Sequence, residues 1–207
     1  RHPRDVVAHP EANWERALWQ RWSRCNAPTV SECWENIVYY QVPLYSAQGE
    51  QHWRCIDLLG TDEDGTVAVI ELKPEPALQP NGRLAGSDSP LKMLLEAAAY
   101  AHVIKKNWGA FRDQLAKHLC GMKLSWNGPQ NKPRIRLVGL APEKYWLQWV
   151  PLSDQGITIS SNAWKAFRNL IKALADHELE VSFATIRGSL ERPRFLSVRY
   201  LRGFPLG

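Results

Sequence analysis

The chain has 207 residues, of which 44% are apolar, and its formal net charge is +5 at pH 7. This length and apolar content suit one hydrophobic core, so we expect a single domain over residues 1–207. No apolar run approaches the length of a membrane span and no secretory signal pattern occurs, which argues against a membrane role and indicates a soluble, cytoplasmic protein. The mildly basic balance is compatible with a polyanionic partner.

Hydrophobic periodicity and turn residues predict an alternation of helices and strands. The predicted helices are 11–24, 90–106, 109–120, 143–150 and 161–177. The predicted strands are 37–45, 54–60, 66–73, 134–141, 180–187 and 195–201. This order predicts an α/β fold in which a mixed central β-sheet is flanked by helices, with a helix and a basic strand pair at the C-terminal end, 161–207.

The first predicted helix carries an acid beside an apolar stripe. Trp14, Leu18 and Trp22 recur at helical spacing and therefore predict its buried face. Glu15 lies next to that stripe, with Trp19 four residues further on. Glu15 is either part of a buried site or a surface glutamate paired with a neighbouring arginine.

The most informative charges lie in two short apolar runs joined by an acidic glycine turn. These runs predict a β-hairpin, with Asp57 in its first strand and Glu71 and Lys73 in its second. If the turn centres on Asp64, Asp57 and Glu71 lie opposite each other, with Cβ atoms roughly 5 Å apart. A loop with an even number of residues would instead place them on opposite faces, unless a bulge restored the register.

Two facing carboxylates have a chemical consequence. They repel each other, so without a cation one of them takes up a proton. A divalent ion such as Mg²⁺ resolves the conflict, with Asp57, Glu71 and the carbonyl of Leu72 as oxygen ligands. Lys73 would then orient or help to deprotonate the attacking water. A plainer interpretation is that Asp57 caps a turn, while Glu71 and Lys73 form a solvated ion pair on an edge strand.

The order of elements and the motif residues within 13–105 resemble the PD-(D/E)XK nuclease superfamily, which has the restriction-endonuclease-like fold. The resemblance is carried by the segments Ile56-Asp57-Leu58-Leu59-Gly60 and Val69-Ile70-Glu71-Leu72-Lys73. It implies that Asp57 and Glu71 bind Mg²⁺ or Mn²⁺ and that Lys73 assists the water that cleaves a phosphodiester. Ile56 replaces the proline of the motif.

Many members of that superfamily also carry an acid on the first helix. Glu15 is our preferred candidate for this role, and Glu32 and Glu35 are its rivals. Glu35 is closer in sequence to the first predicted strand and would be able to reach the same cation.

The helix after the triplet offers a second group of candidates. RecB-like exonucleases carry a Gln-x-x-x-Tyr pair there, and this chain has Glu96 and Tyr100 at that spacing. With Lys92 they form a stripe that points either to the site or to solvent as a salt-bridged surface. Asp88 or Ser89 is the expected helix cap. The predicted apolar face of this helix consists of Leu91, Leu94, Leu95 and Ala98.

The C-terminal strand pair is basic. Between residues 182 and 207, Glu191 is the single acid, set against five arginines. Such a pair either tracks a phosphate backbone or is an ordinary solvated sheet edge. The arginines of this pair that we expect to contact substrate are Arg192, Arg194 and Arg199.

These features together predict a metal-dependent nuclease that acts on DNA, with RNA as another possible substrate. The expected cofactor is Mg²⁺ or Mn²⁺, and the expected assembly is a homodimer or a larger complex. The alternative is a nuclease-like fold that binds nucleic acid or a protein with little or no catalytic activity.

Overall fold

The structure is a computed structural model that describes residues 10–23, 34, 36–43, 55–62, 64–76, 88–122, 124, 126–149 and 161–201. The helices are α1 (Pro10–Trp22), α2 (Pro90–Lys106), α3 (Trp108–Gly121), α4 (Glu143–Trp146) and α5 (Ser161–Asp176). The strands are β1 (Asn36–Pro43), β2 (Cys55–Thr61), β3 (Val67–Leu72), β4 (Ile135–Pro142), β5 (Leu179–Arg187) and β6 (Ser197–Tyr200).

The α/β class predicted from the sequence is confirmed, and the predicted helices and strands are found close to their expected places. The helix predicted over 143–150 is shorter: it ends at Trp146 and a turn follows it. The last strand is shorter than predicted, because Pro193–Phe195 form a turn of 3₁₀-helix before it. This turn includes Phe195, and Leu196 follows it, so the strand begins only at Ser197. No helix within the described ranges is long and apolar enough to cross a membrane.

The six strands form one mixed sheet in the order β1-β2-β3-β4-β5-β6. Strands β3, β4 and β5 are parallel, whereas the β1-β2, β2-β3 and β5-β6 pairs are antiparallel. The C-terminal residues of the three parallel strands therefore lie at one end of the sheet. We call this the carboxyl end; it is marked by Leu72, Pro142 and Arg187.

The predicted register of the β2-β3 hairpin is confirmed. Leu58 pairs with Ile70 and Thr61 with Val67, which is the register of a turn centred on Asp64. The Asp64 carboxylate accepts a hydrogen bond from the Thr66 amide at 3.0 Å, as is common for aspartate in tight turns.

The sheet separates two hydrophobic cores. Leu18 of α1 and Ile70 of β3 belong to the core on one face. Val69 of β3 and Met93 of α2 belong to the core on the other face, where α3, α4 and α5 also contribute. Because side chains alternate along a strand, Glu71 points to the same face as Val69, toward α2.

The predicted apolar face of α2 is wrong in two of its four positions. Leu91 and Leu95 are exposed by 43% and 50%, while Met93 and Ala97 are buried. The helix turns a less leucine-rich side toward the sheet because the methionine and the alanines allow close packing there. Ser89 is the cap, and its side chain accepts a hydrogen bond from the Lys92 amide at 3.2 Å.

Candidate active site

Asp57 lies where β2 and β3 stop pairing. The ladder between these strands ends with the Leu58–Ile70 pair, whereas β2 still pairs with β1 at Ile56. Beyond that point the Leu72 amide donates a hydrogen bond to Asp57 Oδ2 at 2.7 Å. A carboxylate thus takes the place of a strand carbonyl. The N–H and C=O of a strand residue point to the same side, so the Leu72 carbonyl also faces Asp57.

Lys73 follows directly on β3 and is surrounded by carboxyl groups. Its Nζ lies 2.7 Å from Glu71 Oε1 and 3.2 Å from Glu96 Oε2. Glu11 and Asp88 each have a carboxylate oxygen 3.9 Å from the same nitrogen. We use the term carboxyl cluster for Glu11, Glu15, Asp57, Glu71, Asp88 and Glu96.

The Lys73 side chain is 9% exposed, yet it remains an ammonium. Burial lowers its pKa, but Glu71 and the carboxylates of Glu11 and Glu96 more than offset this, so the pKa lies above its ordinary value. At neutral pH Lys73 therefore donates hydrogen bonds and does not accept a proton.

Glu71 has a strongly raised pKa. Burial first, and then the neighbouring charge of Asp57, raise this pKa to about 10. Burial would also raise the pKa of Glu96, but the interactions with Glu71 and Lys73 prevail and lower it. The surroundings thus favour the protonated form for Glu71 and the charged form for Glu96. Glu71 Oε2 is buried and has no hydrogen-bond partner among the described residues.

Glu15 reaches the same place from the opposite face of the sheet. It is 3% exposed, and its Oε2 is buried without a partner in the described part of the chain. Burial, Asp57 and Glu11 raise its pKa to about 7, while a hydrogen bond with Gln41 acts in the opposite direction. Burial likewise raises the pKa of Asp57 to about 7, against the hydrogen bond from Leu72.

Sequence reasoning missed Gln41, Glu11 and Asp88. In the β1-β2 register Gln41 lies opposite Asp57, and its φ of 49° is in the left-handed region that a glutamine rarely adopts. Nothing in the local sequence indicates this. Glu11 could have been identified from the sequence, since it precedes Glu15 by one helical turn. In the sequence Asp88 is recognisable only as a candidate cap of α2. In the structure its carboxylate accepts a hydrogen bond from Lys92 Nζ at 2.6 Å.

The structure brings together Glu15, Asp57, Glu71, Lys73 and Glu96. Tyr100 is 7% exposed and belongs to the core beneath α2. Lys92 is linked to the site through Asp88. Glu32 and Glu35 lie outside the described residues. Arg192, Arg194 and Arg199 are exposed near β6.

The donor chemistry of the cluster suits a hard cation, with buried carboxyl oxygens of Glu15 and Glu71 that lack partners. Among the described residues, however, no group of three or more His, Cys, Asp or Glu side chains is arranged to hold a metal ion. Lys73 supplies the positive charge next to Glu71 instead. The residues therefore match a divalent ion in the type of ligand that they offer. These ligands are the carboxylates of Asp57 and Glu71 and the carbonyl of Leu72.

The raised pKa values predict that the protein loses stability as pH rises. Glu15 and Asp57 bind protons more tightly in the folded than in the unfolded chain, so the free energy of unfolding falls from about pH 5 to about pH 8 in the absence of divalent cations. For buried Glu15 the loss is on the order of 3 kcal/mol.

Glu15→Gln should flatten this dependence and raise stability at the alkaline end, as measured by urea unfolding. Glu143→Gln, at an exposed glutamate, is the control. A stability that rises between those pH values would contradict the assignment.

Comparisons of the chain with protein-family models, with curated proteins and with solved structures found no match.

Proposed function

We propose that this chain is a divalent-metal-dependent nuclease with a restriction-endonuclease-like core, which hydrolyses phosphodiester bonds in DNA. The observation that carries the proposal is the convergence of Asp57, Glu71 and Lys73 at the carboxyl end of the sheet. Several carboxyl groups with strongly raised pKa values in one place lower the stability of the folded state and are typical of functional sites. A structural ion pair would need one acid for Lys73, whereas four lie within 4 Å of its Nζ.

The proposed ligands of Mg²⁺ or Mn²⁺ are Asp57, Glu71 and the Leu72 carbonyl. We propose Glu15 as a further carboxylate of the site, since burial and then the nearby charge of Asp57 raise its pKa. A bound divalent cation supplies positive charge for the phosphate oxygens and lowers the pKa of water.

Lys73 and Glu96 have different roles in the proposed reaction. Lys73 is charged, so it orients the attacking water and stabilises negative charge on the phosphate rather than acting as the base. The water loses a proton as its oxygen bonds to phosphorus. The bond to the leaving oxygen breaks, and that oxygen takes up a proton from solvent water. Glu96 is the proposed acceptor of the first proton, because it lies 3.2 Å from Lys73 Nζ and is not a proposed ligand.

The test is cleavage by the purified chain of linear duplex, circular duplex and single-stranded DNA in the presence of Mn²⁺ or Mg²⁺. We expect cleavage that falls by about 100-fold or more in Lys73→Ala and in Asp57→Asn. Lys132→Ala is the matched control, because it removes an exposed lysine just before β4, at the other end of the sheet. Cleavage that is absent with either cation, or equal in Lys73→Ala and wild type, would refute the proposal.

A second candidate function is a nuclease-like module that binds nucleic acid or a protein as part of a larger complex. It is favoured by the Lys73 ammonium, which lies 2.7 Å from Glu71 Oε1 and supplies positive charge there without a metal, and by the lack of a three-residue metal group among the described residues. In that case DNA binding would be unchanged in Lys73→Ala and cleavage would not be observed. For the nuclease, flush cleavage of duplex DNA would favour a homodimer, because it cuts both strands.

A further inference from the structure

A group of exposed arginines lies at the same end of the sheet as the carboxyl cluster. Strand β5 ends at Arg187, which pairs with Ser197 at the start of β6. The connection between these two strands is therefore at the carboxyl end. We call residues 187–196 the arginine corner. Only β4 separates β3 from β5, so the ends of these two strands are on the order of 10 Å apart across the sheet.

The arginine corner has a fixed backbone. The Arg192 amide donates to the Ser189 carbonyl at 3.0 Å, and the Phe195 amide donates to the Arg192 carbonyl at 3.0 Å. Leu196 is 1% exposed and anchors the corner in the core under α1. The exposure of its neighbours is thus a property of an ordered turn.

Phe195 projects from this ordered turn with 62% of its surface exposed, the highest value among the exposed large apolar side chains that the structure describes. The guanidinium of Arg194 lies over its ring, 4.9 Å from the centroid. A cation at this distance is attracted to the face of the ring and favours this arrangement. The result is an oriented aromatic surface next to positive charge.

Arg187, Arg192 and Arg194 are exposed, and none of them forms an ion pair with an acid among the described residues. Arg112, Arg134 and Arg136, in contrast, each have a described acid within ion-pair distance. Glu191 is the single acid of the corner. A phosphate backbone complements this charge, and the face of an unpaired base complements the ring.

We propose that the arginine corner binds an unpaired DNA strand, with Phe195 stacked on a base and Arg187, Arg192 and Arg194 against phosphates. This inference rests on the proposed function, because it makes the corner the surface that leads a strand to the carboxyl cluster. Paired bases do not offer their faces, so the corner favours single-stranded DNA or frayed ends over blunt duplex.

The test measures binding without cleavage, by fluorescence anisotropy of the full chain in EDTA. The probes are a thymidine strand of about 12 nucleotides and a strand of the same length with abasic sites. We expect wild type to prefer the thymidine strand. Phe195→Ala should weaken that binding by about 5-fold to 100-fold and leave the abasic strand unaffected. Phe195→Tyr, which keeps the ring, should bind like wild type.

Charge is tested separately through the salt dependence of binding. Each of Arg192→Ala and Arg194→Ala should reduce the slope of log K against log salt by about 0.7. Arg134→Ala is the matched control, since it removes one charge just before β4, at the opposite end of the sheet. Leu95→Ala is the control for an exposed apolar side chain elsewhere.

The outcomes separate this inference from the proposed nuclease. Three results would overturn the proposed role of the arginine corner, whatever the cleavage assay shows. They are equal binding of both strands by wild type, no binding to either strand, and unchanged affinity in Phe195→Ala. Phe195-dependent binding in a protein that cleaves nothing with Mn²⁺ or Mg²⁺ would support the corner and refute the nuclease.

Discussion

Replacing Lys73 by methionine should lower the free energy of unfolding by about 3 kcal/mol at pH 8 in EDTA. The substitution keeps most of the apolar stem but removes the ammonium that lies 2.7 Å from Glu71 and 3.2 Å from Glu96. The carboxylates left behind are mostly shielded from water, so their repulsion is not relieved by solvent. Urea unfolding of the variant and of wild type measures the difference.

Two variants make this result specific. Adding Glu71→Gln to Lys73→Met should restore part of the lost stability, because one acid of the cluster is removed together with its partner. Lys144→Met should cost less than about 1 kcal/mol, because the Lys144–Glu75 ion pair at 3.0 Å is exposed. If the Lys73 and Lys144 variants lost the same stability, Lys73 would not neutralise a buried cluster.

The Lys73→Met protein also reports on metal binding independently of activity. If Asp57 and Glu71 hold a divalent cation, Mn²⁺ should raise the melting temperature of the variant more than that of wild type, because the cation replaces the missing positive charge. Adding Asp57→Asn should abolish the shift. A variant whose melting temperature does not respond to Mn²⁺ at millimolar concentration would argue for the binding module.

The second large effect is expected at Gly139, which pairs with Glu71 across β3 and β4. A Cβ at this position would lie 2.5 Å from Met93 Sδ and 2.6 Å from Phe183 Cδ1. The methionine can move, but the Phe183 ring is packed in the core and cannot easily do so. Gly139→Val should therefore cost about 3 kcal/mol in the free energy of unfolding.

The same substitution should disturb the carboxyl cluster. Met93 and Glu96 lie on successive turns of α2, so a helix lifted from the sheet carries Glu96 away from Lys73. Cleavage by Gly139→Val should fall further than its lost stability alone accounts for, when measured at a temperature where the variant is folded. Gly109→Ala is the control: nothing lies within 4 Å of the added Cβ, so it should be neutral or slightly stabilising. A Gly139→Val protein as stable as wild type would show that α2 is not held close by this glycine.

Local patterns predicted much of the candidate site. The alternation of side chains and the centre of the turn were enough for the register of the β2-β3 hairpin, because a turn fixes the pairing of the residues next to it. Helical spacing identified Trp14, Leu18 and Trp22 as the buried stripe of α1. Glu15 beside that stripe could then be singled out.

The contacts of Glu11, Asp88 and Glu96 with Lys73 could not be predicted in the same way. They join residues from three parts of the chain, and they depend on which side of α2 meets the sheet. The leucines of α2 suggested one side, whereas close packing of Met93 over Gly139 turned another side inward. The strained backbone of Gln41 likewise has no local sequence signal.

The sequence by itself thus determined the elements, their order and the pairing of the hairpin that contains Asp57, Glu71 and Lys73. These depend on interactions between residues that are near one another in the chain. Only the tertiary structure decided which acids surround Lys73, and that the arginine corner shares their end of the sheet. These outcomes depend on how side-chain volumes fit between a helix and a sheet, and on the directions in which distant strands run.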